Sequence, residues 1–359
     1  MSPTPAPAVQ LLHALEGFDA IIDARSEDEF ALDHLPGAVN WPTLNNEERC
    51  LVGAMYKQVN PFEARKHGAA IAARNIAGHI TRAVLDQARD WKPLVYCWRG
   101  GQRSGSLALV LAQIGFRVTL VAGGYKAFRA ALVVDSARLA GQFDFRVVCG
   151  TTGSGKTRLL HALARRGAQV LDLEALASHR SSVLGAIPGQ PQPSQKAFET
   201  QVWDHLRRFD PLRPVFVESE SRKVGNVALP VALMEAMRQG HCLNLVLDDG
   251  QRVALLMEDY DHFVRHGEAF CERLDALVEL RGKAVVQAWK SAVRQGDIET
   301  VVQELLTQHY DPVYLQSMQR NFSRFSQARL LAPADRSPAA MDAVASRLAD
   351  AEAGAALQG

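Results

Sequence analysis

The sequence contains no apolar run of about 18 residues, the length that a helix needs to cross a membrane. Its opening stretch, "MSPTPAPAVQ", also lacks the charged and apolar regions of a secretory signal peptide. We therefore expect a cytoplasmic protein with no membrane partner.

Cysteine is scarce, and its spacing excludes two classes of small stabilised domain. The five residues are Cys50, Cys97, Cys149, Cys242 and Cys271, an odd set without a Cys-x-x-Cys pair. This pattern argues against a disulfide framework and against a zinc site. The histidines show no metal-ligand spacing either, so the sequence predicts no metal held by the protein alone.

Neither sign of charge is in excess, because the sequence has 40 Lys and Arg residues and 39 Asp and Glu residues. A nucleic acid would therefore have to meet a local basic patch. Two segments supply candidate residues for such a patch: Arg65, Lys66, His67 and Arg74 in the first half, and Arg273, Arg281, Lys283, Lys290 and Arg294 in the second. The alternative interpretation of each segment is an ordinary solvated helix face.

At 359 residues the chain is too long for one ordinary core, so we expect two domains. Apolar strands ending near Asp23, Cys97 and Gly123 alternate with helical segments, which is typical of a parallel α/β sheet. The predicted first domain covers residues 1–135, with a helical insertion at about 45–90.

A cysteine stands in front of a loop of glycine and arginine in "VYCWRGGQRSGSLALVLAQIGF". This loop joins an apolar strand to a helix N-terminus, where backbone N–H groups favour negative charge, and Arg99 and Arg103 reinforce that preference. A thiol ionises readily in such a setting, and the thiolate is a nucleophile. We therefore interpret Cys97, with Arg99 and Arg103, as a catalytic group; the alternative is a small buried core residue.

The second half opens with a phosphate-binding motif in "FRVVCGTTGSGKTRLLHALA", directly between an apolar strand and a helix. Gly150, Gly153 and Gly155 let backbone N–H groups close on phosphate oxygens. Lys156 neutralises the phosphate charge, and the Thr157 hydroxyl is a candidate ligand for Mg²⁺. The sequence thus predicts a P-loop NTPase-like α/β domain over residues 140–359, with a mainly helical C-terminal third.

Carboxylates follow the later strands of this second domain. Asp172, Glu218 and Glu220 are candidates for an acid or for holding a metal-bound water, as in other P-loop proteins. The alternative for Glu218 is a solvated strand end. Period-two alternation places Glu220 and Arg222 on the same side, where both could face the phosphate loop.

The first half resembles the rhodanese domain over about residues 10–133, through "DARSEDEFALDHLPGAVN", "CWRGGQRS" and "LVAGGYKAFRAAL". The resemblance implies that Cys97 carries sulfur or selenium as a persulfide or perselenide. Five residues separate Cys97 from Arg103, one more than in the commonest sulfurtransferase loop. The longer loop is similar to that of cysteine-dependent phosphatases of this fold, which implies a wider anion cradle.

A rhodanese domain followed by a P-loop domain resembles the bacterial tRNA 2-selenouridine synthase family over nearly the whole chain. The segments "LDLEALASHRSSVLG", "QPSQKAFE" and "VESESRKVGNVALP" extend the resemblance beyond the two loops. One departure is Ser181, which follows His179 and Arg180 where the family usually has glycine.

The resemblance implies a transferase that replaces the sulfur of wobble 2-thiouridine in tRNA by selenium, through an S-geranylated intermediate. Its substrates would be geranyl diphosphate and selenophosphate, with no tightly bound cofactor. The tRNA anticodon stem-loop and a selenophosphate-producing enzyme would be its partners. The phosphate loop would hold the diphosphate, the Cys97 loop would handle the selenium donor, and Trp98 could stack an unpaired base.

Two other functions stay open on the residues alone. One is a cysteine-dependent phosphatase or general sulfurtransferase fused to a kinase-like domain. The other is a nonenzymatic sulfur carrier that a nucleotide switches.

Overall fold

The computed structural model describes residues 2–182 and 184–356 of the chain. Within these ranges the chain forms two compact units. The first unit comprises the residues up to Arg138 together with Pro193–Arg207, and the second comprises Leu139–Gln192 and the residues from Arg208 onward. No helix in the described part is both long enough and apolar enough to span a membrane.

The first unit contains a sheet of five short strands: β1 (Thr4–Pro7), β2 (Ala20–Asp23), β3 (Ala38–Asn40), β4 (Pro93–Tyr96) and β5 (Thr119–Ala122). The strand order is β1-β5-β4-β2-β3, and every pairing is parallel. The central strand β4 is buried along its whole length, as the apolar run in the sequence indicates. The edge strands β1 and β3 are the two that the sequence did not predict, and β1 contains prolines, which sheets tolerate at an edge.

Helices of the first unit cover this sheet and form the predicted insertion. They are α1 (Ala8–Leu11), α2 (Glu27–Leu32), α3 (Asn46–Gln58), α4 (Pro61–Ala83), α5 (Gln102–Ile114) and α6 (Gly124–Ala140), and α6 runs past the boundary of the unit. The insertion consists of α3 and α4, whose N-termini are capped by the side chains of Asn45 and Asn60. These caps satisfy N–H groups that have no partner within the helix.

One helix of the first unit comes from the second half of the sequence. Helix α9 (Gln195–Leu206) follows the phosphate loop along the chain, within the range that the sequence assigns to the P-loop domain. The Trp203 indole N–H donates to Asp135 at 2.9 Å, and the Thr200 hydroxyl donates to Asp33 at 3.1 Å. Both pairs are buried, so breaking either would leave a polar group without a partner.

The second unit contains another parallel sheet of five strands: β6 (Phe145–Cys149), β7 (Gln169–Leu171), β8 (Val215–Glu218), β11 (His241–Leu245) and β12 (Arg329–Leu331). Their order is β12-β11-β6-β8-β7, which places the apolar strand β6 in the centre. A short antiparallel hairpin is formed by β9 (Lys223–Val224) and β10 (Val227–Ala228). The two parallel sheets confirm the predicted α/β class.

The C-terminal third is mainly helical, as predicted, although it also supplies the edge strand β12. The helices of the second unit are α7 (Lys156–Arg165), α8 (Leu173–Ala177), α10 (Val231–Gln239), α11 (Asp249–Asp259), α12 (Asp261–Arg265), α13 (Gly267–Leu274), α14 (Val278–Arg281), α15 (Lys283–Arg294), α16 (Ile298–Glu304), α17 (Asp311–Asn321) and α18 (Pro338–Ala356). A π-helical turn over Leu305–Tyr310 joins α16 to α17.

This helical part has a hydrophobic core of its own. Phe270, Leu274, Val286, Trp289 and Val301 are all buried in one cluster contributed by α13, α15 and α16. A separate cluster packs α7 and α18 against the sheet. The helical part therefore has its own stabilising contacts in addition to those with the sheet.

Gly124 provides a sharp test of the first unit's packing. Its φ is +62°, and a Cβ there would lie 2.3 Å from the Cys97 carbonyl oxygen and 2.5 Å from the Gly100 nitrogen. We expect Gly124→Ala to lower the free energy of unfolding by about 2–4 kcal/mol, since backbone strain adds to a clash with backbone atoms. Urea unfolding followed by tryptophan fluorescence measures this, because four of the five tryptophans lie in the first unit.

The matched control is Gly101→Ala in the same loop. Gly101 has a φ of −93° and nothing within 4 Å of an added Cβ. We expect a change below about 1 kcal/mol for this variant. Equal losses in both variants would contradict the steric explanation.

Candidate active sites

Cys97 lies at the carboxyl end of the central strand of the first sheet, directly before the loop that leads into α5. Its side chain is 3% exposed. The Ser104 hydroxyl, in the first turn of α5, donates to Cys97 Sγ at 3.1 Å. A hydroxyl donor at this distance stabilises negative charge on sulfur.

The loop surrounds an open hollow of about 500 Å³ that is lined by Cys97, Trp98, Arg99, Gly101, Gln102 and Arg103. The structure thus places all three predicted catalytic residues in one hollow. Arg99 is exposed at its rim. The hollow is large enough for an anion that the backbone N–H groups and the arginines would bind.

Arg103 has a carboxylate partner that the sequence analysis missed. Arg103 donates to Glu29 at 2.6 Å, and Glu29 also accepts from the backbone N–H of Ser26 at the start of α2. Burial opposes ionisation of Glu29, but the Arg103 hydrogen bond and charge hold the pKa of this carboxyl below its usual value. The Arg103 guanidinium is therefore oriented by Glu29, and part of its charge is neutralised.

Trp98 packs against its own domain. Its ring stacks on Tyr125 with a centroid distance of 5.4 Å, and the Lys196 ammonium lies 5.8 Å from the Trp98 ring centroid. The Tyr125 hydroxyl in turn donates to Asp33 at 2.7 Å. This arrangement favours a packing role for Trp98, the alternative to stacking an unpaired base.

The phosphate loop has the backbone that its glycines predict. Gly150, Gly153 and Gly155 have φ values of +153°, +78° and +87°. A Cβ on Gly150 would lie 2.6 Å from the Leu245 carbonyl oxygen, so no larger residue fits there without a shift of the backbone. The Lys156 ammonium donates to the Gly150 carbonyl at 2.7 Å and thus lies across the loop.

Two residues from the helical part hold this loop, and no sequence motif signals either of them. Tyr314, on α17, accepts a hydrogen bond from the Gly150 N–H at 2.7 Å. Arg252, on α11, is 4% exposed and donates to the Thr152 carbonyl at 2.9 Å and to Asp311 at 2.6 Å. Only the tertiary structure brings these side chains to the loop.

A group of carboxylates lies beside the phosphate loop. Glu218 accepts from the Glu174 N–H at 2.8 Å through one oxygen, while its other oxygen is buried without a partner among the described residues. Burial, together with the nearby Asp172 and Glu220 carboxylates, raises the pKa of Glu218 well above its usual value. Burial and the Glu174 charge raise the pKa of Glu220 to about 7.

The predicted candidate Asp172 has a structural task as well. Its side chain accepts from the Ala175 N–H at 2.8 Å and so caps α8, and it contacts His161 at 3.0 Å. The residue that the sequence analysis missed is Glu174, whose carboxylate accepts from the Thr157 hydroxyl at 3.3 Å. Its position at the start of a short helix gave no pattern by which it could be recognised.

A cavity of about 940 Å³ joins these groups. Its lining includes Gly153, Gly155, Lys156, Thr157, Asp172, Glu174, Arg180, Glu220 and Arg222. The expectation that Glu220 and Arg222 face the phosphate loop together agrees with this placement, whereas Glu218 lies behind the wall. The cavity has room for more than a diphosphate alone, and we refer to it below as the phosphate cavity.

The residues present fit a Mg²⁺ ion that is bound together with a phosphate ligand. Magnesium prefers oxygen ligands, and Thr157 and Glu174, which both line the phosphate cavity, supply them. No group of three or more His, Cys, Asp or Glu side chains in the described ranges could hold a metal. Phosphate oxygens of the ligand would therefore have to complete the coordination.

Four of the nine residues named in the two basic segments are paired with carboxylates. In the first, Arg74 lies 2.7 Å from Glu48 and Lys66 lies 2.8 Å from Glu63. In the second, Arg294 bonds Glu268, Lys290 bonds Asp275 and Arg281 donates to His309. These pairs favour the alternative interpretation of ordinary helix faces.

Ser181 occupies a backbone position that suits glycine. Its φ is +44°, and such left-handed values cost a residue with a Cβ about 1–2 kcal/mol. The Ser181 hydroxyl donates to Glu220 within the wall of the phosphate cavity. A glycine here would avoid the backbone strain, whereas the serine gains the hydrogen bond to Glu220.

We expect the Ser181→Gly variant to be more stable than Ser181→Ala by about 1 kcal/mol, because both lose the Glu220 hydrogen bond but only alanine keeps the strain. Urea denaturation followed by circular dichroism measures the difference. Ser182, whose φ is not positive, is the matched control. At position 182 the alanine variant should be at least as stable as the glycine variant. If glycine were the more stable residue at both positions, the strain argument would be wrong.

Comparison with known proteins is consistent with both sites. The family model of the tRNA 2-selenouridine synthase AAA domain matches residues 143–281, and that of the rhodanese-like domain matches residues 7–131. The tRNA 2-selenouridine synthase of Nitrosomonas eutropha is 33% identical over 352 residues, covering 84% of this chain and 88% of that protein.

Two further relatives with the same name have comparable similarity. The protein of Nitrosomonas europaea is 38% identical over 248 residues, which cover 67% of this chain and 63% of that protein. The protein of Sulfurovum sp. is 31% identical over 332 residues, covering 85% of this chain and 90% of that protein. The ranges matched by the two family models contain the two loops and the carboxylate cluster.

Proposed function

This chain belongs to the tRNA 2-selenouridine synthase family and is an enzyme that modifies tRNA by selenium transfer, and we propose that it works in two steps through an S-geranylated intermediate. In the first step, the sulfur of wobble 2-thiouridine takes a geranyl group from geranyl diphosphate. In the second, selenium derived from selenophosphate replaces the geranylated sulfur. The observation that carries the proposal is the presence of two distinct anion sites, each at the end of a central strand in its own unit.

The phosphate loop suits the first step. The thiouridine sulfur would attack the allylic carbon, forming a C–S bond while the C–O bond breaks, and diphosphate would leave with the electron pair. Lys156 and the N–H groups of the loop would bind the charge that accumulates on the leaving group. In the structure the Lys156 ammonium donates to the Gly150 carbonyl, and we expect it to turn to the diphosphate when that ligand binds.

The carboxylates beside the loop require charge compensation for a diphosphate to bind. Glu174 and Glu220 line the phosphate cavity, and ionised carboxylates there would repel an anion. The raised pKa of Glu220 keeps part of this group protonated near neutral pH. Mg²⁺ held by Thr157 and Glu174 would supply the remaining positive charge to the diphosphate.

The Cys97 hollow suits the second step. Selenophosphate and water together are equivalent to phosphate and hydrogen selenide. Cys97 and Arg99 would bind this selenium donor in the hollow. At C2 of the modified base, hydrogen selenide would enter and geranyl thiol would leave, which balances the exchange. Ser104, through its hydrogen bond to Cys97 Sγ, would orient the sulfur within the hollow.

The tRNA anticodon stem-loop is the proposed macromolecular substrate, and a selenophosphate-producing enzyme in the cytoplasm is the proposed partner. The alternatives of a phosphatase or sulfurtransferase fused to a kinase-like domain, and of a sulfur carrier, have less support, because family similarity covers both units. Incubation of the protein with thiolated tRNA, geranyl diphosphate, selenophosphate and Mg²⁺, leaving out one component at a time, tests the two-step scheme. Geranylated tRNA should accumulate when selenophosphate is left out.

Replacement of Cys97 by serine should abolish selenium incorporation, because an alcohol ionises far less readily than a thiol. Geranylation should be retained, since the phosphate loop is unchanged. Mass spectrometry of digested tRNA measures both products. Cys50→Ser, at an exposed cysteine outside the hollow, is the matched control and should behave as the wild type. Unchanged selenouridine formation in the Cys97 variant would show that the thiol is not needed.

Replacement of Lys156 by alanine should slow geranylation at least about tenfold, because a charge-assisted contact contributes about 1.5–3 kcal/mol and more when it strengthens in the transition state. Selenation of tRNA that is already geranylated should change far less, because no diphosphate leaves in that step. The exposed Lys223 provides the control Lys223→Ala.

Separate assays of the two steps decide between explanations of a Lys156 defect. An equal loss in both steps would indicate a role in folding or tRNA binding. A loss confined to selenation would reverse the assignment of the two loops.

A further inference from the structure

A second cavity of the second unit has no role in the scheme above. It is narrow, about 50 Å³, and lies among α11, α12, α13, α16 and the π-helical turn. Side chains that line it include Leu256, Tyr260, Phe263, Phe270, Val302 and Leu306. We call it the apolar cavity, since aliphatic and aromatic side chains form most of its wall.

The apolar cavity adjoins the phosphate cavity. Thr152, Ser182, Leu256, Tyr260 and Tyr310 line both of them. Thr152 belongs to the phosphate loop itself, so the apolar cavity begins where a phosphate held by that loop would end. A ligand with a charged head at the loop could extend an apolar tail directly into this space.

The lining also indicates the chemical class of the occupant. Its polar groups are few, and the shared residues Thr152, Ser182, Tyr260 and Tyr310 contribute most of them. The Tyr310 hydroxyl is buried and finds no hydrogen-bond partner among the described residues. Beyond this mouth, Phe270, Ile298 and Val302 offer nothing that could read the hydrogen-bonding edge of a nucleotide base. A hydrocarbon chain matches such a wall.

We propose that the apolar cavity receives the hydrocarbon chain of the allylic diphosphate and selects for its length. This inference rests on the proposed function, because it takes the diphosphate at the phosphate loop as its starting point. On binding, the hydrocarbon chain of the ligand would move from water into contact with the aromatic and branched side chains of the wall. The narrow volume means that these side chains must move apart as the chain enters.

Direct binding measurements test the inference without any tRNA. Calorimetric titration of the full chain, with Mg²⁺ present, compares inorganic diphosphate with dimethylallyl, geranyl and farnesyl diphosphate. We expect geranyl diphosphate to bind at least about tenfold more tightly than inorganic diphosphate, with a more negative heat-capacity change. Equal affinities for these two ligands in the wild type would overturn the inference.

Val302→Trp fills the apolar cavity at a residue that is not shared with the phosphate cavity. This variant should lose most of the preference for geranyl diphosphate while its affinity for inorganic diphosphate stays within about twofold of the wild type. Leu280→Trp is the matched control, because Leu280 is 63% exposed and does not line the cavity. A geranyl preference that survives in Val302→Trp would overturn the inference.

A second variant covers the case in which Val302→Trp does not fold. Phe270→Leu enlarges the apolar cavity. The ratio of the affinity for farnesyl diphosphate to that for geranyl diphosphate should rise at least about threefold. An unchanged order of chain lengths would again contradict the inference. A wild type that binds geranyl diphosphate with this preference but fails to geranylate thiolated tRNA would overturn the proposed function and leave the cavity assignment intact.

Discussion

The buried Arg252 guanidinium, on α11, ties the phosphate loop to α17. It donates to the Thr152 carbonyl and to the Asp311 carboxylate, and loss of the carboxylate would leave a buried charge without its partner. Tyr314 adds a hydrogen bond from the same helix as Asp311 to Gly150. The conformation of the loop therefore depends on the helical part, and the phosphate cavity exists only while α11 and α17 stay in place.

The two anion sites share a topology but differ in their electrostatics. Each follows the central strand of a five-stranded parallel sheet, where loops at the carboxyl ends of the strands commonly bind ligands. At Cys97 the neighbouring groups are a hydroxyl donor and arginines, one of them held by Glu29. At the phosphate loop, buried carboxylates face the lysine, and their raised pKa values show how unfavourable additional negative charge is there. The first site is suited to an anion by itself, and the second to an anion with a cation.

Charge along the sequence overstates the cationic surface of this protein. Arg74, Lys66 and Arg294 occur in basic segments, yet each lies within hydrogen-bonding distance of a carboxylate from another turn or another helix. Such pairs reduce the local potential that a polyanion would meet. These three residues therefore contribute less free positive charge than their place in the sequence indicates.

The sequence by itself determined the α/β class, the two loops and the residues of those loops, because each of these features is local. A strand, a glycine-rich turn and a helix that follow one another directly place Cys97 and Lys156 without any long-range contact. It also placed Glu218 at a strand end, but could not show that burial leaves one of its oxygens without a partner. The helix α9 in the first unit, the edge strand β12, the Arg252 and Tyr314 contacts and the apolar cavity were decided by the tertiary structure alone. Each joins residues far apart in the chain, and the packing that brings them together has no signature in the spacing of neighbouring residues.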